Sequence, residues 1–228
     1  MNNLINDTLF WQDYEESVLT DKNYVNIFKI SLDYYQAIED TCKLILAAYE
    51  LEKAARFIHE LDRKRYVIGK FYSKMLLSKL MNINPADVYF EFNEYKKPYI
   101  NNIHFNISHS ADYVVIALST NTIGIDIEFI DPKLNYQELI YQCFSKEEIK
   151  VIKDIDSFYL FWTRKEALLK ATGEGLTDNL PAIDCTGDHV DRFGISYELK
   201  SFKLNEGYFL STASSKHQSI YKYWDLKY

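Results

Sequence analysis

Apolar and polar positions alternate along residues 24–32 (YVNIFKISL), which predicts a strand. Across residues 33–80 the spacing changes. Apolar side chains recur three and four apart, as in Val67, Phe71 and Met75 and then Leu76 and Leu80, which predicts helix. Asn84-Pro85 breaks that pattern. Short β-type runs follow at residues 88–92, 103–107, 113–118 and 123–130. Helical spacing returns over 145–152 and 157–171, with Gly173 placed to cap the second helix. Residues 192–204, 207–212 and 220–226 read as three closing strands. The stretch 1–23 reads as an N-terminal extension with no assignable role.

The order is strand, helices, strands, and then strands, helices, strands. It predicts an α+β fold of two similar halves, residues 1–119 and 120–228, related by a pseudo-twofold. No sequence repeat is visible, so the duplication rests on element order alone.

Composition narrows the class. The 228 residues are 47% hydrophobic and 26% charged, an ordinary globular balance, and Gly 7 and Pro 4 exclude a fibrous repeat or long linker. The formal net charge of −7 argues against broad nucleic-acid binding, which needs a basic face. Cys42, Cys143 and Cys185 are far apart and form no CxxC, so they read as reduced thiols of a cytoplasmic protein. Residues 1–14 lack the basic and apolar regions of a signal peptide, and no apolar run reaches the ~18 residues of a membrane span.

Five segments are able to carry chemistry, each with a plainer alternative. In Gly124-Ile125-Asp126-Ile127-Glu128, strand alternation points Ile125 and Ile127 into a core and puts Asp126 and Glu128 on the other face, where Gly124 leaves room. Two such carboxylates repel unless a cation sits between them. Hard oxygen ligands suit Mg²⁺, which keeps waters and takes further ligands from substrate phosphates. A solvated acidic face is the plainer alternative. Trp162, Glu166 and Lys170 form one helical stripe flanked by Lys165, suited to a metal-bound polyphosphate or to an ordinary helix ion pair. In Phe105-Asn106-Ile107-Ser108-His109-Ser110, His109 follows a strand end and has hydroxyl neighbours, as a phosphate site would. A Ser-His-Asp hydrolase is disfavoured, because no G-x-S-x-G elbow is present. Tyr95-Lys96-Lys97-Pro98 suits a phosphate contact or a basic turn. Ser145-Lys146-Glu147-Glu148 is a capping box, which gives Glu148 a structural role by default. No Walker A loop or G-x-G-x-x-G occurs.

Together and in this order, these segments resemble the 4′-phosphopantetheinyl transferases of the large, surfactin-synthetase-activating (Sfp-like) type. Phe144 before the capping box and Gly173-Glu174-Gly175-Leu176 after Lys170 match as well, and residues 52–69 match more loosely. The resemblance implies two pseudo-symmetric α+β halves with coenzyme A in the cleft between them. It implies transfer of the 4′-phosphopantetheine arm to a serine of an apo acyl carrier protein or peptidyl carrier domain, with release of adenosine 3′,5′-bisphosphate. Asp126, Glu128 and Glu166 would hold Mg²⁺, and Lys170, with Lys165 nearby, would sit on the pyrophosphate. His109 with Ser108 beside it would meet the 3′-phosphate, and Lys97 with Pro98 the adenosine end. Lys53 and Arg65 are looser matches for phosphate contacts. The base would be Glu166 or a metal-bound water, with Glu148 next. Where the family often has Gly, this chain has Lys96. A monomer is expected, since two halves already build one cleft. Carrier docking is expected on residues 63–74 or the loop at Asp112 and Tyr113. A metal-dependent phosphohydrolase with the same carboxylates, and a non-catalytic binder of coenzyme A or carrier proteins, are the competing classes.

Overall fold

The computed structural model describes residues 4–5, 9–14, 24–95, 97–100, 103–175, 179–204, 207–215 and 219–227. Strands β1 (Gln12–Asp13) and β2 (Tyr24–Ser31) lead into α1 (Tyr35–Ile45), α2 (Ala48–Ala55) and α3 (Glu60–Met81). Next come β3 (Glu91–Phe92), β4 (Pro98–Tyr99), β5 (His104–Ser110), β6 (Tyr113–Ser119) and β7 (Ile123–Phe129). The chain continues through α4 (Ile140–Cys143), α5 (Lys146–Val151) and α6 (Ile155–Thr172), and closes with β8 (His189–Arg192), β9 (Ile195–Leu204), β10 (Tyr208–Ser214) and β11 (Ile220–Asp225).

Period-two alternation divides the molecule into layers. On β2, Phe28 and Ile30 join Val114, Ile116 and Leu118 of β6 against the buried faces of α1 and α3. The intervening Val25, Ile27, Val115 and Ala117 face the other way, into a second core with Ile123, Ile125, Ile127, Phe202, Leu204, Tyr208 and Leu210. Helices α1 to α3 therefore cover one face of the first sheet, whose order is β1-β11-β2-β6-β5, and the second sheet, β7-β10-β9-β8, covers the other. Helix α6 closes the outer face of the second sheet through Ala167 and Leu168 against Leu199 and Ala213, and Phe161 against Phe209. This is the α+β fold of two sheet-and-helix halves that element order predicted.

Several expectations change in detail. The helical stretch 33–80 is three helices, interrupted at Leu46, which has extended backbone, and around His59. The strand expected over 88–92 keeps only Glu91–Phe92, because its partner β4 offers just two residues, and Val88 and Phe90 act as buried anchors. The run 192–204 is split into a hairpin by Phe193 and Gly194, both with positive φ (51° and 75°), the twist of a tight turn between antiparallel strands. Described parts of the 1–23 stretch are integral to the fold. Ile5 bridges Ser201 in the second sheet, and β1 pairs in parallel with β11 in the first. Strand β11 itself returns from the C-terminal stretch to pair with β2.

Helix α6 carries its boundaries in sequence. Asp154 accepts the Ser157 N–H at its start, and Gly173 ends it with φ 76°. It lies so close to β7 that a Cβ on Gly124 would come 2.0 Å from the Ala167 carbonyl oxygen and 2.4 Å from the Ala171 nitrogen. The space beside Gly124 thus belongs to helix backbone and not to a ligand, contrary to the sequence reading. Gly124→Ala should destabilise the protein by about 1–3 kcal/mol or more in urea unfolding, by forcing strand and helix apart. Unchanged stability would mean the contact is looser than this packing requires.

Candidate active site

The two sheets meet where β5, an edge of the first, runs beside β7, an edge of the second. They share no backbone ladder there. Every second side chain of β5 accepts an outward N–H of β7: Asn106 Oδ1 takes Ile125 at 3.0 Å, Ser108 Oγ takes Ile127 at 3.4 Å, and Ser110 Oγ takes Phe129 at 3.0 Å. The two serines then donate onward to carboxylates of β7, Ser108 to Asp126 Oδ1 and Ser110 to Glu128 Oε2, both at 2.8 Å. Lys170 of α6 completes the junction, donating to Asp126 Oδ1 at 2.6 Å and to Ser108 Oγ at 2.8 Å.

This junction concentrates negative charge. Asp126 is 2% exposed, and its buried Oδ2 has no hydrogen-bond partner among the described residues. Glu128 is pushed up to about 7 by burial and then by the Asp126 charge, with the Ser110 hydrogen bond and Lys170 opposing. Glu166 rises to about 7 as well, from burial and then Asp126, opposed by Lys170. The orphan oxygen, the mutual repulsion and the all-oxygen donor set fit a hard divalent cation. The cage is not preassembled: among the described residues no group of three His, Cys, Asp or Glu side chains is gathered closely enough to hold a metal. The nearest positive charge is the Lys170 ammonium.

A cavity lies on each side of the cluster. One, of about 240 Å³, is bounded by Glu166, Lys170, Asn106, Ile107 and the Tyr95, Lys97 and Pro98 segment. The other, about 210 Å³, sets Glu128 beside Leu134, Leu139, Phe158, Tyr159 and Trp162. A third, of about 370 Å³, shares Lys97, Pro98 and Gly173 with the first and extends to His104 and Thr122. The Lys97 ammonium donates to the last carbonyls of α6, those of Lys170 and Ala171, where the helix dipole favours a cation. Burial pushes it down to about 8. Asn93 fixes this loop, its Oδ1 accepting the N–H groups of Tyr95 and Lys97 and its Nδ2 donating to the Gly173 carbonyl.

Other candidates fall elsewhere. Alternation sends Ser108 to the carboxylates and His109 to the opposite face, so the two do not form one phosphate contact as expected. His109 is instead close to Arg65 and Lys170; partial desolvation and those two charges lower its pKa. Arg65 donates to the Ala111 carbonyl at 2.9 Å and to Asp62 at 2.8 Å, holding the β5–β6 turn beside His109. The Lys53 ammonium lies over the Tyr66 ring, 5.1 Å from its centroid, on the helical layer. Lys165 and Glu148 are fully buried behind α6 and pair at 2.8 Å. Lys165 also donates to the Leu180 and Ile183 carbonyls, and Glu148 accepts the N–H groups of Ser145 and Cys185. Neither faces the cavities, so the expected pyrophosphate contact of Lys165 and base role of Glu148 have no surface to act on. Lys96 and Leu176 lie outside the described residues.

Two family models match the chain. Residues 36–121 match the 4′-phosphopantetheinyl transferase N-terminal family, and residues 122–224 the 4′-phosphopantetheinyl transferase superfamily. The 4′-phosphopantetheinyl transferase Sfp of Bacillus subtilis strain 168 is 32% identical over 72% of this chain and 80% of its own length. The transferase ffp of Bacillus subtilis is 29% identical over 84% of this chain and 93% of its own. HetI of Nostoc is 28% identical over 67% and 70%. The chain belongs to the 4′-phosphopantetheinyl transferase superfamily. It is an enzyme of the Sfp-like type within it, as the motif order implied.

In this transferase, sequence reasoning missed Asn93, Asn106 and Ser110. Their signal was positional, since Asn106 and Ser110 share the Ser108 face at a spacing of two. The raised carboxylates also set a pH dependence. Glu128 has an ordinary value of 4.5 and a folded value of about 7, so the folded state favours its protonated form. The resulting stability is full below about pH 4.5 and is lost as pH rises through 7. Metal-free Glu128→Gln should therefore match wild type in melting temperature at about pH 4 and exceed it at about pH 8, by roughly 2–4 °C per kcal/mol recovered. Equal melting temperatures at both values would remove the repulsion argument. For the buried pair, Lys165→Met strands a carboxylate and should cost about 3–5 kcal/mol, and adding Glu148→Gln should recover part of that loss. A Lys165→Met variant that unfolds like wild type in urea would contradict the pairing.

Proposed function

We propose that this chain transfers the 4′-phosphopantetheine arm of coenzyme A to a serine hydroxyl of an apo acyl or peptidyl carrier protein, with Mg²⁺, and releases adenosine 3′,5′-bisphosphate. The observation that carries the reading is the set of electrostatically coupled carboxylates Asp126, Glu128 and Glu166, with Lys170 paired to Asp126 and a Lys97-lined cavity beside them. A charged pyrophosphate needs positive groups on one side and, for acidic residues to approach it at all, a cation between.

Asp126, Glu128 and Glu166 would hold that Mg²⁺, which when bound neutralises charge on the pyrophosphate and on the leaving phosphate. The chain's own residues do the rest. Lys170 is anchored on Asp126 and Ser108, so its ammonium is fixed at the cavity wall where the phosphates would lie. The acceptor serine must lose a proton as its oxygen bonds to phosphorus, while the bond to the bridging oxygen breaks and its electron pair leaves on the adenosine bisphosphate. Glu166 is suited to take that proton because it borders the cavity beside Lys170. His109 at the end of β5, and Arg65 of α3 against the adjoining turn, would meet a further phosphate. The reading carries with it a monomer acting in the cytoplasm; among the described residues no helix is long and apolar enough to cross a membrane.

Intact mass spectrometry of apo carrier proteins incubated with the chain, coenzyme A and Mg²⁺ tests this. A gain of one phosphopantetheine arm, lost with chelator, is expected. Glu166→Gln should lower the rate by about 10²–10⁴-fold with the fold intact. Cleavage of coenzyme A without any carrier gain would favour the hydrolase instead.

A further inference from the structure

The wall of the Lys97 cavity on the α6 side is built from two glycines. Gly173 and Gly175 both border it, and both have positive φ (76° and 71°). A Gly-x-Gly wall is adaptable, and ordering it costs conformational entropy. Here the residue between them is clamped. Glu174 accepts Arg192 Nε at 3.0 Å on Oε1 and Arg192 Nη2 at 2.7 Å on Oε2, and Oε1 also accepts the Thr172 hydroxyl at 2.9 Å. This is a two-pronged guanidinium–carboxylate fork, the geometry that fixes direction as well as distance. Arg192 belongs to β8, so the clamp ties the cavity wall to the second sheet.

The tip of the β8–β9 hairpin supports the arginine. Phe193 has φ 51°, a conformation costly for a bulky side chain, and is 71% exposed, so burial does not repay it. Its ring lies 4.9 Å from the Arg192 guanidinium carbon, a cation–π contact that restricts the arginine's rotamers. From the opposite side, Asn93 holds the Gly173 carbonyl at 3.2 Å. The glycine wall is thus pinned at Gly173 and at Glu174 by residues outside the carboxylate junction.

We propose that Arg192, acting through Glu174, is a positioning residue that pre-forms the coenzyme A cavity. The inference rests on the transferase reading of that cavity. Arg192 borders neither the Lys97 cavity nor the junction, so it governs how readily coenzyme A is seated and not how fast the seated molecule reacts.

The test is a double-mutant cycle of Arg192→Ala and Glu174→Ala in the full chain. Coenzyme A binding would be measured by calorimetry without carrier protein, and kcat and both KM values with it. The expected result is an approximately tenfold weaker coenzyme A affinity in each single variant and no further loss in the double. The coenzyme A KM should rise in step, with kcat and the carrier KM within about twofold of wild type. Arg192→Lys, which keeps the charge without the fork, should recover only part of the affinity. Unchanged coenzyme A affinity in both single variants, with wild type binding normally, overturns the positioning role alone. So does a loss confined to kcat, or additive losses in the double variant. A wild-type chain that takes up no coenzyme A overturns the transferase reading and this inference with it.

Discussion

Two β-sheets that meet edge to edge without pairing leave a row of backbone N–H groups to be satisfied by something else. Here β5 answers with side chains, and the period of two in Asn106, Ser108 and Ser110 matches the period of the outward N–H groups at Ile125, Ile127 and Phe129. The solution has a consequence. A serine that accepts a backbone N–H still has a hydroxyl proton to place and a second lone pair to fill. Ser108 uses both, giving its proton to Asp126 and accepting Lys170. The seam that joins the halves therefore also aims the carboxylates. Structure and chemistry are inseparable on this strand, because replacing any of the three polar residues exposes a backbone donor and loosens the site together.

Helix α6 shows how much environment matters to identical side chains. Lys165 and Lys170 are five residues apart on one helix and both pair with a carboxylate. Behind the helix, Lys165 and Glu148 find every partner they need from carbonyls and N–H groups of the 180–185 segment and the α5 cap. That pair is closed and holds the loop to the helix. On the cleft side, the Lys170 and Asp126 pair is left open, with Asp126 Oδ2 lacking a partner among the described residues and two further carboxylates raised by burial and then by its charge. An unsatisfied buried charge is costly unless a ligand completes it. The difference between the two faces separates a fully satisfied ion pair from one left open to the cavity, although both lysines belong to the same motif.

The contrast between the closed and the open pair also marks how far the sequence could be read. Strand alternation correctly put Ile125 and Ile127 in a core and Asp126 and Glu128 opposite, and the caps at Ser145 and Gly173 were legible because they depend on local chemistry. The helix stripe of Glu166 and Lys170 was legible for the same reason. What escaped was set by long-range contact. Motif adjacency grouped Lys165 with Lys170 and Ser108 with His109, yet neighbouring residues on a helix or strand point in different directions. Gly124 looked like space for a ligand and is space for a helix backbone. Asn93 gave no signal, since its role exists only when the β3–β4 hairpin meets the end of α6, 80 residues later in the chain.

The chain ends explain why such distant parts hold register. The described N-terminal segment bridges to Ser201 at Ile5 and pairs with Trp224 and Asp225 at β1, so it contacts one sheet and then the other. Strand β11 crosses back from the second half to pair with β2 over six positions. A hinge between the halves would have to break both attachments as well as the β5–β7 seam and the shared core of Ile27, Val115, Ile125 and Leu210. The halves are therefore fixed with respect to each other, and adjustment to a ligand falls to what lies outside this lattice of contacts. The Lys97 loop and the Gly173–Gly175 wall are such parts, each attached by a few directed hydrogen bonds and little buried apolar surface. With the two sheets held this way, the shape of the Lys97 cavity is left to those bonds.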